Sequence, residues 1–487
     1  MSVPRILDYH RTSQHTREGF APSLGYLDWA TQPDPFRDYE GAPREPLPLA
    51  PVDDSPPYDA LYNASPPTPP RPFGLASLGA FLEHALALVA WKVAGTARWS
   101  LRVNPSSGNL HPTECYLVGA LAGERGAWHY APKHHALERR CAWDSAAELP
   151  ADAPVVLVLT SIAWRESWKY GLRALRYCLL DAGHAVGALR LAAASVGWSL
   201  SVWTEPGDLE LARLCGLDRS DAGGDGERER AELALVLHTD PARRIPPPPL
   251  DALLRAAGSG RWYGRANRLS ADHHPWPDLD DAHEATIKPT TAPPREVLGA
   301  APPLDTGPPT AASSWSLIRR RRSAVEMDGH TPLPLPSLAR MLSLVLPRAE
   351  HAPWDGWPWR PRVDLLFFAH RVTGLESGLY ALVRDRARAE VLRSRCRAPL
   401  AWEPAMAPLP VWRLTARDER ALARRSSCGQ DIAADSAVAF SMLAELGPAL
   451  EADGAWAYRR LHWEAGLVGQ VLYLEAEAAG LRATGIG

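Results

Sequence analysis

A chain of 487 residues, 46% of them hydrophobic, exceeds one typical domain and can bury two substantial cores. Its net charge of -3 lacks the basic footprint of a nucleic-acid binder, and neither Met1–Phe20 nor any later run is apolar enough for a signal peptide or membrane span. A soluble cytoplasmic protein is therefore expected, with no nucleic-acid or membrane partner.

At the N-terminus, Tyr9–His15, Tyr26–Ala30 and Pro33–Arg37 are polar and aromatic without periodicity, which predicts an extended arm. The proline-rich passage Pro43–Pro72 then runs over the surface, and the two together fill residues 1–74. A first domain is expected over 75–240. It opens with a helix over Leu75–Trp91, where Leu78, Phe81, Leu82, Ala85, Leu86 and Val89 recur at helical spacing.

Arg102–Glu114 suits neither helix nor strand. Pro105 and Pro112 fix φ, Gly108 permits positive φ, and Ser106, Ser107 and Asn109 supply small donors and acceptors. The stretch reads as a rigid polar turn able to hold a planar, polar heterocycle, or else as a plain surface loop. Cys115–Leu121 and Ala127–Tyr130 then form paired strands, and the almost wholly apolar Ala153–Ile162 a strand covered on both faces. Leu172–Trp198 has a long helical pattern, broken near Asp181–His184. Just before it, a partly buried Lys169 can serve as a base and Tyr170 as a proton relay; the bland alternative pairs Lys169 and Arg173 with Glu166 or Asp181. His184 reads as a satisfied, partly buried histidine.

Proline pairs between 241 and 310 mark a linker, where His273, His274 and His283 read as solvated loop histidines rather than metal ligands. The six cysteines show no Cys-x-x-Cys spacing, so neither zinc nor a disulfide framework is indicated. Dinucleotide-binding and phosphate-loop glycine patterns are missing as well.

A second domain, 311–487, repeats the first. Glu464–Leu481 aligns without a gap on Asp181–Trp198, and Asp364–His370 with Gly378–Tyr380 mirrors Cys115–Leu121 with Gly126–Trp128. At its start Arg319–Arg322 and Ser323 offer either a phosphate clamp or a solvated basic face. At its end Ala483–Gly487 is a glycine-rich turn that lets backbone approach a ligand, or a simple helix-to-strand turn.

The pattern Arg102-x-x-Pro105-Ser106-Ser107-Gly108-x-Leu110-x-Pro112-x-Glu114 resembles the flavin-contacting turn of nitroreductase-like flavoproteins, closest to the azoline dehydrogenases of thiazole- and oxazole-modified peptide pathways. The resemblance implies an α+β fold: two fused nitroreductase-like domains, each a sheet with packed helices, forming a pseudo-dimer that binds FMN between them. It implies ring contacts from Arg102, Pro105, Ser106, Ser107 and Asn109, phosphate contacts from Arg321, Arg322 and Ser323, and backbone contacts from Gly485, Ile486 and Gly487. The further basic residue often found after that serine is Val325 here. Lys169 and Tyr170 match the catalytic pair of the azoline dehydrogenases.

The implied activity is hydride transfer between FMN and NAD(P)H or an organic substrate, either a small molecule or a peptide azoline. The alternative is a non-catalytic flavin-fold scaffold in a biosynthetic complex. Copy two carries Trp354–Pro361 in place of the Pro-Ser-Ser-Gly turn, and copy one has only a faint Arg-x-Ser at Arg11–Ser13, so one composite site is expected. Family members continue past the segment matching 483–487, which implies a second domain cut short at Gly487.

Overall fold

The computed structural model describes all residues except 1, 52–53, 63–67, 96, 144–148, 151, 295–300, 304–309, 311, 397–398 and 487. The chain starts with a helix rather than an extended arm. In α1 (Ser2–Thr12), Ile6 and Tyr9 are buried, and the Tyr9 hydroxyl donates to the Leu172 carbonyl at 2.7 Å. Val3, Ile6 and Leu7 supply a short apolar face that the histidines and arginines around it obscure in the sequence. Short strands β1 (Tyr39–Glu40) and β2 (Arg44–Pro46) follow.

Helix α2 (Leu75–Glu83) ends at Glu83 instead of reaching Trp91. Val89, Trp91 and Val93 alternate along β3 (Leu88–Ala94), which turns through Gly95 (φ 59°) into β4 (Ala97–Arg102). β-Branched alternation here overrides the helical reading. The main sheet of the first half is built from β5 (Thr113–Leu121), β6 (Glu124–Ala131), β7 (Ala136–Ala142), β8 (Val156–Ile162), β9 (Ser199–Trp203) and β10 (Glu229–His238), with β11 (Arg261–Trp262) at its edge. Its order is β11-β7-β6-β5-β8-β10-β9, with β2 also on β7. Every residue of β8 is buried, as its apolar run requires. The helices α3 (Ala163–Tyr170), α4 (Ala174–Ser195) and α5 (Asp208–Cys215) accompany it.

The stretch 241–310 is more than a spacer. Its α6 (Leu250–Ser259) buries Ala252, Leu253, Ala256 and Ala257, β11 pairs with β7, and β12 (Arg265–Ala266) pairs with β1. In α7 (Pro277–Ala285), Leu279 and His283 lie on one buried face, so His283 is not a solvated loop histidine. Burial, with Arg230 and Arg459 nearby, keeps His283 neutral by lowering its pKa far below the ordinary value.

The second half starts with α8 (Ser314–Arg320), β13 (Leu333–Pro334) and α9 (Leu335–Leu344). It continues through β14 (Val363–Ala369), β15 (Val372–Thr373), β16 (Gly378–Leu382), α10 (Ala389–Arg395), β17 (Glu403–Ala405), β18 (Val411–Arg413), α11 (Arg420–Ser426), α12 (Asp431–Asp435), β19 (Val438–Ala444), α13 (Leu446–Asp453) and α14 (Ala457–Ala478). Its sheet order, β17-β18-β16-β14-β19, repeats β7-β6-β5-β8 of the first half through β18-β16-β14-β19. The likeness extends to single residues. A Cβ on Gly126 would stand 1.9 Å from the Cys141 carbonyl, and one on Gly378 2.2 Å from that of Thr415, so glycine is required at the same point of the second strand in each copy.

Helices α4 and α14 are each 22 residues long and begin and end at aligned residues. Gly197 (φ 76°) and Gly480 (φ 75°) follow their last turns. The interruption expected near Asp181–His184 does not occur, because α4 is continuous there. Gly183 serves close approach instead: a Cβ on it would lie 2.2 Å from the Trp463 carbonyl, and one on Gly466 2.1 Å from that of Leu180. Gly183 meets its own counterpart Gly466, and Gly187 meets its counterpart Gln470. The helices therefore run in the same direction about a pseudo-twofold axis. Among the described residues no helix is long and apolar enough to cross a membrane.

Gly183→Ala must force the two helices apart and is expected to cost at least the about 1–3 kcal/mol typical of overpacking. Gly447→Ala, in α13 with nothing within 4 Å of the new Cβ, should leave stability unchanged or raised. Thermal unfolding of the two variants checks the contrast.

Candidate functional site between the two halves

The turn after β4 is pinned from beneath by α4. Ser107 donates its backbone N–H to both Asp181 carboxylate oxygens at 3.2 Å and its hydroxyl to Oδ1 at 3.3 Å. Ser106 Oγ accepts from the His111 N–H at 2.8 Å, closing the loop on itself. Gly108, Asn109 and His111 all have positive φ (62°, 57° and 51°), so the turn exposes its backbone in a conformation that few sequences tolerate. Asn104 is buried, and its Oδ1 has no partner among the described residues.

Lys169 and Tyr170, at the end of α3, close over this turn. A Cβ on Gly108 would lie 2.9 Å from the Tyr170 hydroxyl and 3.2 Å from Lys169 Nζ. Lys169 is exposed rather than partly buried, and its Nζ sits 5.2 Å from the Tyr170 ring centroid. Among the described residues it pairs with neither Glu166 nor Asp181. Those carboxyls instead form a buried pair. Burial lifts Asp181 to about 7 against the hydrogen bonds of Ser106 and Ser107, and burial together with Asp181 raises Glu166 well above the carboxylate range. Neither Glu166 oxygen has a hydrogen-bond partner among the described residues.

The far end of the turn is held by a buried ion network that sequence reading missed. Arg165 reaches Glu114 at 2.5 Å and the His111 carbonyl at 2.8 Å, and its Nε donates to the Asp34 carbonyl at 3.0 Å. Glu114 and Glu138 bracket His129 at 3.0 Å on either side. Against the cost of burial, the two carboxylates raise His129 to about 9; against the same cost, Arg165 and His129 hold Glu114 near 2. The alternation of Glu114 and Tyr116 facing His129 from the neighbouring strand was the available signal, but only strand register brings them together. Arg102 belongs to this scaffold. Its side chain donates to the Thr113 carbonyl at 3.4 Å and the Pro35 carbonyl at 2.5 Å, so only its backbone faces the second half.

In the second half the four arginines of 319–322 separate by role. Arg319 pairs with Glu83, Arg320 with Glu477 at 2.6 Å, and Arg322 folds back onto the Arg319 and Arg321 carbonyls at 2.8 and 2.7 Å. Arg321 alone of the four is buried, 5% exposed, with Nε and Nη1 lacking partners among the described residues. Its Nη2 lies 3.5 Å from the Arg102 carbonyl, and its guanidinium stands 5.2 Å from the Tyr473 ring centroid.

The Tyr473 hydroxyl meets Ser323 Oγ at 3.3 Å and accepts from the Gly485 N–H at 2.6 Å, gathering both expected cofactor segments. Ile486 is exposed, and Gly487 lies outside the described residues. His184 links the halves, its ring 5.7 Å from that of Tyr473 and its Nδ1 3.3 Å from Gln470 Oε1. The turn thus meets Arg321 through the Arg102 carbonyl, while Ser107 faces Asp181.

The pseudo-symmetric position is closed. Arg190, the counterpart of Tyr473, forms a two-pronged salt bridge with Asp355 at 2.8 and 2.5 Å. Trp354, Trp357 and Trp359 are buried where the first copy has its polar turn. Glu464, the counterpart of Asp181, accepts from the Arg362 N–H at 3.0 Å and binds Arg384. Arg11–Ser13 does not take the place of Arg321–Ser323: Ser13 Oγ accepts from Arg176 Nε at 2.9 Å, at the opposite end of α4. The segment paired with 312–314 is 56–58.

The polar groups around Arg321 fit FMN by their chemistry. An unpaired buried guanidinium suits a phosphate, the Ser323 hydroxyl a polar chain, and Asn104 Oδ1, as an acceptor, together with the turn, a polar ring. The ion network makes a separate prediction. With the folded His129 pKa near 9 and the ordinary value at 6.5, its stabilisation is complete below about pH 6.5 and lost as pH rises through 9. The loss should be on the order of 3 kcal/mol. Denaturant melts from pH 6 to 10 should show it, and His129→Leu should flatten it.

Residues 75–224 match the Nitroreductase family. A crystal structure of a putative nitroreductase from Anabaena variabilis superposes with a TM-score of 0.68 at 20% identity, covering 97% of this chain and 92% of that one. The putative nitroreductase MJ1384 of Methanocaldococcus jannaschii is 32% identical over 104 residues, 19% of this chain, so the match spans about half (52%) of that relative. A chain of the Escherichia coli microcin synthetase McbBCD complex with truncated pro-MccB17 bound aligns over 48% of this chain and 81% of that one, at 16% identity and a TM-score of 0.27. The chain carries a nitroreductase-family domain within an α+β, nitroreductase-like fold that extends over nearly its whole length.

Proposed function

We propose that the protein is an FMN-dependent oxidoreductase that exchanges a hydride with NAD(P)H or an organic substrate, including a peptide azoline. The observation that carries this reading is Arg321: a buried, unpaired guanidinium against the Arg102 carbonyl, beside Tyr473, Ser323 and Gly485. An unpaired buried charge is costly, so the fold retains it for a partner, and a phosphate monoester is the chemistry that satisfies it.

When bound, FMN would supply two-electron redox chemistry. The chain's own contributions are positioning and proton handling. Asp181 fixes Ser107 and with it the turn, and Glu114, Arg165 and His129 fix the turn's far end. Oxidising an azoline ring removes a hydride and a proton. Both Lys169 Nζ and the Tyr170 hydroxyl crowd over Gly108. The Lys169 amine would take the proton from a ring lying on the turn, and the Tyr170 hydroxyl, which burial keeps protonated, would relay it.

Arg321→Gln should weaken FMN binding by about tenfold or more, the value of a charge-assisted hydrogen bond, without lowering the stability of the cofactor-free protein. Fluorescence titration with FMN and thermal unfolding read the two effects. Undiminished FMN affinity would remove the basis of the reading. Anaerobic bleaching of bound flavin by NADH, by NADPH or by an azoline-bearing peptide identifies the electron donor; no bleaching by any of them favours a scaffold. Lys169→Ala should retain flavin and abolish bleaching by the peptide while sparing that by NAD(P)H. Bleaching by the peptide at the wild-type rate would exclude Lys169 as the base.

A further inference from the structure

We propose that the N-terminal ends of α4 and α14 carry a separate oxyanion site, built from Arg173, Arg176 and the Tyr458 hydroxyl, that takes a carboxylate or phosphate group. Arg173 and Arg176 stand at the first turn of a 22-residue helix, where the helix dipole is already positive. Arg173 donates to the Tyr177 hydroxyl at 3.1 Å and the Ser13 carbonyl at 2.8 Å. Arg176 donates to Ser13 Oγ at 2.9 Å and the His10 carbonyl at 2.6 Å, with His10 Nδ1 at 3.2 Å. Every one of these partners is neutral, and neither arginine forms an ion pair among the described residues.

The internal repeat supplies the control. Arg459 of α14 aligns with Arg176 and is neutralised by Asp208 and by Glu232 at 3.0 Å; its neighbour Arg460 pairs with Asp453 at 2.7 Å. One copy therefore balances the charge at this helix start with carboxylates, and the other leaves it unbalanced. A second observation points to the same place. Tyr458 is fully buried, its hydroxyl has no partner among the described residues, and its ring lies 5.8 Å from that of His10, the residue Arg176 holds. The histidines around the cluster are neutral at physiological pH and offer no counter-charge: burial and the field of Arg176 hold His10 near 4 and His462 near 3. Two guanidiniums without a counter-ion among the described residues and a buried hydroxyl donor are the elements of an oxyanion cradle.

Arg173 binds the Tyr177 hydroxyl, and the Tyr177 ring lies 4.4 Å from that of Tyr170. On the proposed function, the anion held here is the charged end of a molecule whose other end reaches the Lys169–Tyr170 pair; the oxyanion site itself does not depend on that reading.

The test is a thermal-shift titration with inorganic phosphate, and in parallel with acetate, against sodium chloride at matched ionic strength. It is run on FMN-saturated protein and on Arg321→Gln, so that Arg321 cannot be the site. A saturable stabilisation beyond that of chloride is expected in both backgrounds, and the preferred anion shows whether the group is phosphate or carboxylate. Arg173→Gln and Arg176→Gln should weaken it about tenfold or more, and Tyr458→Phe, which preserves the packing, severalfold. The proposal is overturned if neither anion gives a saturable shift, or if Arg176→Gln or Tyr458→Phe binds as tightly as wild type.

Discussion

The backbone contact between α4 and α14 is the constraint on which the rest of the structure depends. Gly183 against Trp463 and Gly466 against Leu180 leave no room for side chains, and this sets both the distance and the direction of the helices. Side-chain entropy is not lost in such a contact, while dispersion and burial act over its whole length. With the helices locked, His184 of one copy comes beside Gln470 and Tyr473 of the other. The turn hangs from Asp181 and Ser323 and Gly485 from Tyr473, so the site is a consequence of that packing.

Two copies of one unit have diverged chiefly by charge and bulk at aligned positions. Tyr473 has Arg190 as its counterpart, and Arg190 seals its side with Asp355 while buried indoles take the place of the polar turn. His184 has Leu467 as its counterpart, in apolar packing. A fused chain can specialise its two grooves independently, which a symmetric homodimer cannot. The result is a buried guanidinium without an ion-pair partner among the described residues on one side, and a salt bridge with buried indoles on the other.

Much of this was legible in the sequence, for reasons that differ by element. The duplication could be read because glycine is irreplaceable where backbones touch, and β8 because a strand covered on both faces tolerates only apolar residues. The turn stood out because prolines, serines and Gly108 together allow so little else. The end of α2 was misjudged because Val89, Trp91 and Val93 suit a strand and a helix face alike, and sheet pairing decided between them. Gly183 reads as a break in sequence because local propensity cannot reveal a neighbouring helix about 280 residues away in the chain. Four consecutive arginines look equivalent in sequence; only their rotation about the end of α8 sends Arg321 inward and the others to Glu83, Glu477 and nearby carbonyls. The Glu114–His129–Glu138 network was invisible because it depends on the register of β5, β6 and β7.

The central claim is that only the Arg321 side of the pair takes the cofactor. Equilibrium binding of FMN, read as moles bound per mole of chain after desalting or by calorimetry, tests it most directly. One FMN per chain is the result this account predicts. Two per chain would show that the Arg190–Asp355 groove still accepts cofactor, and none at saturating FMN would show that Arg321 awaits a different anion; either result would contradict it.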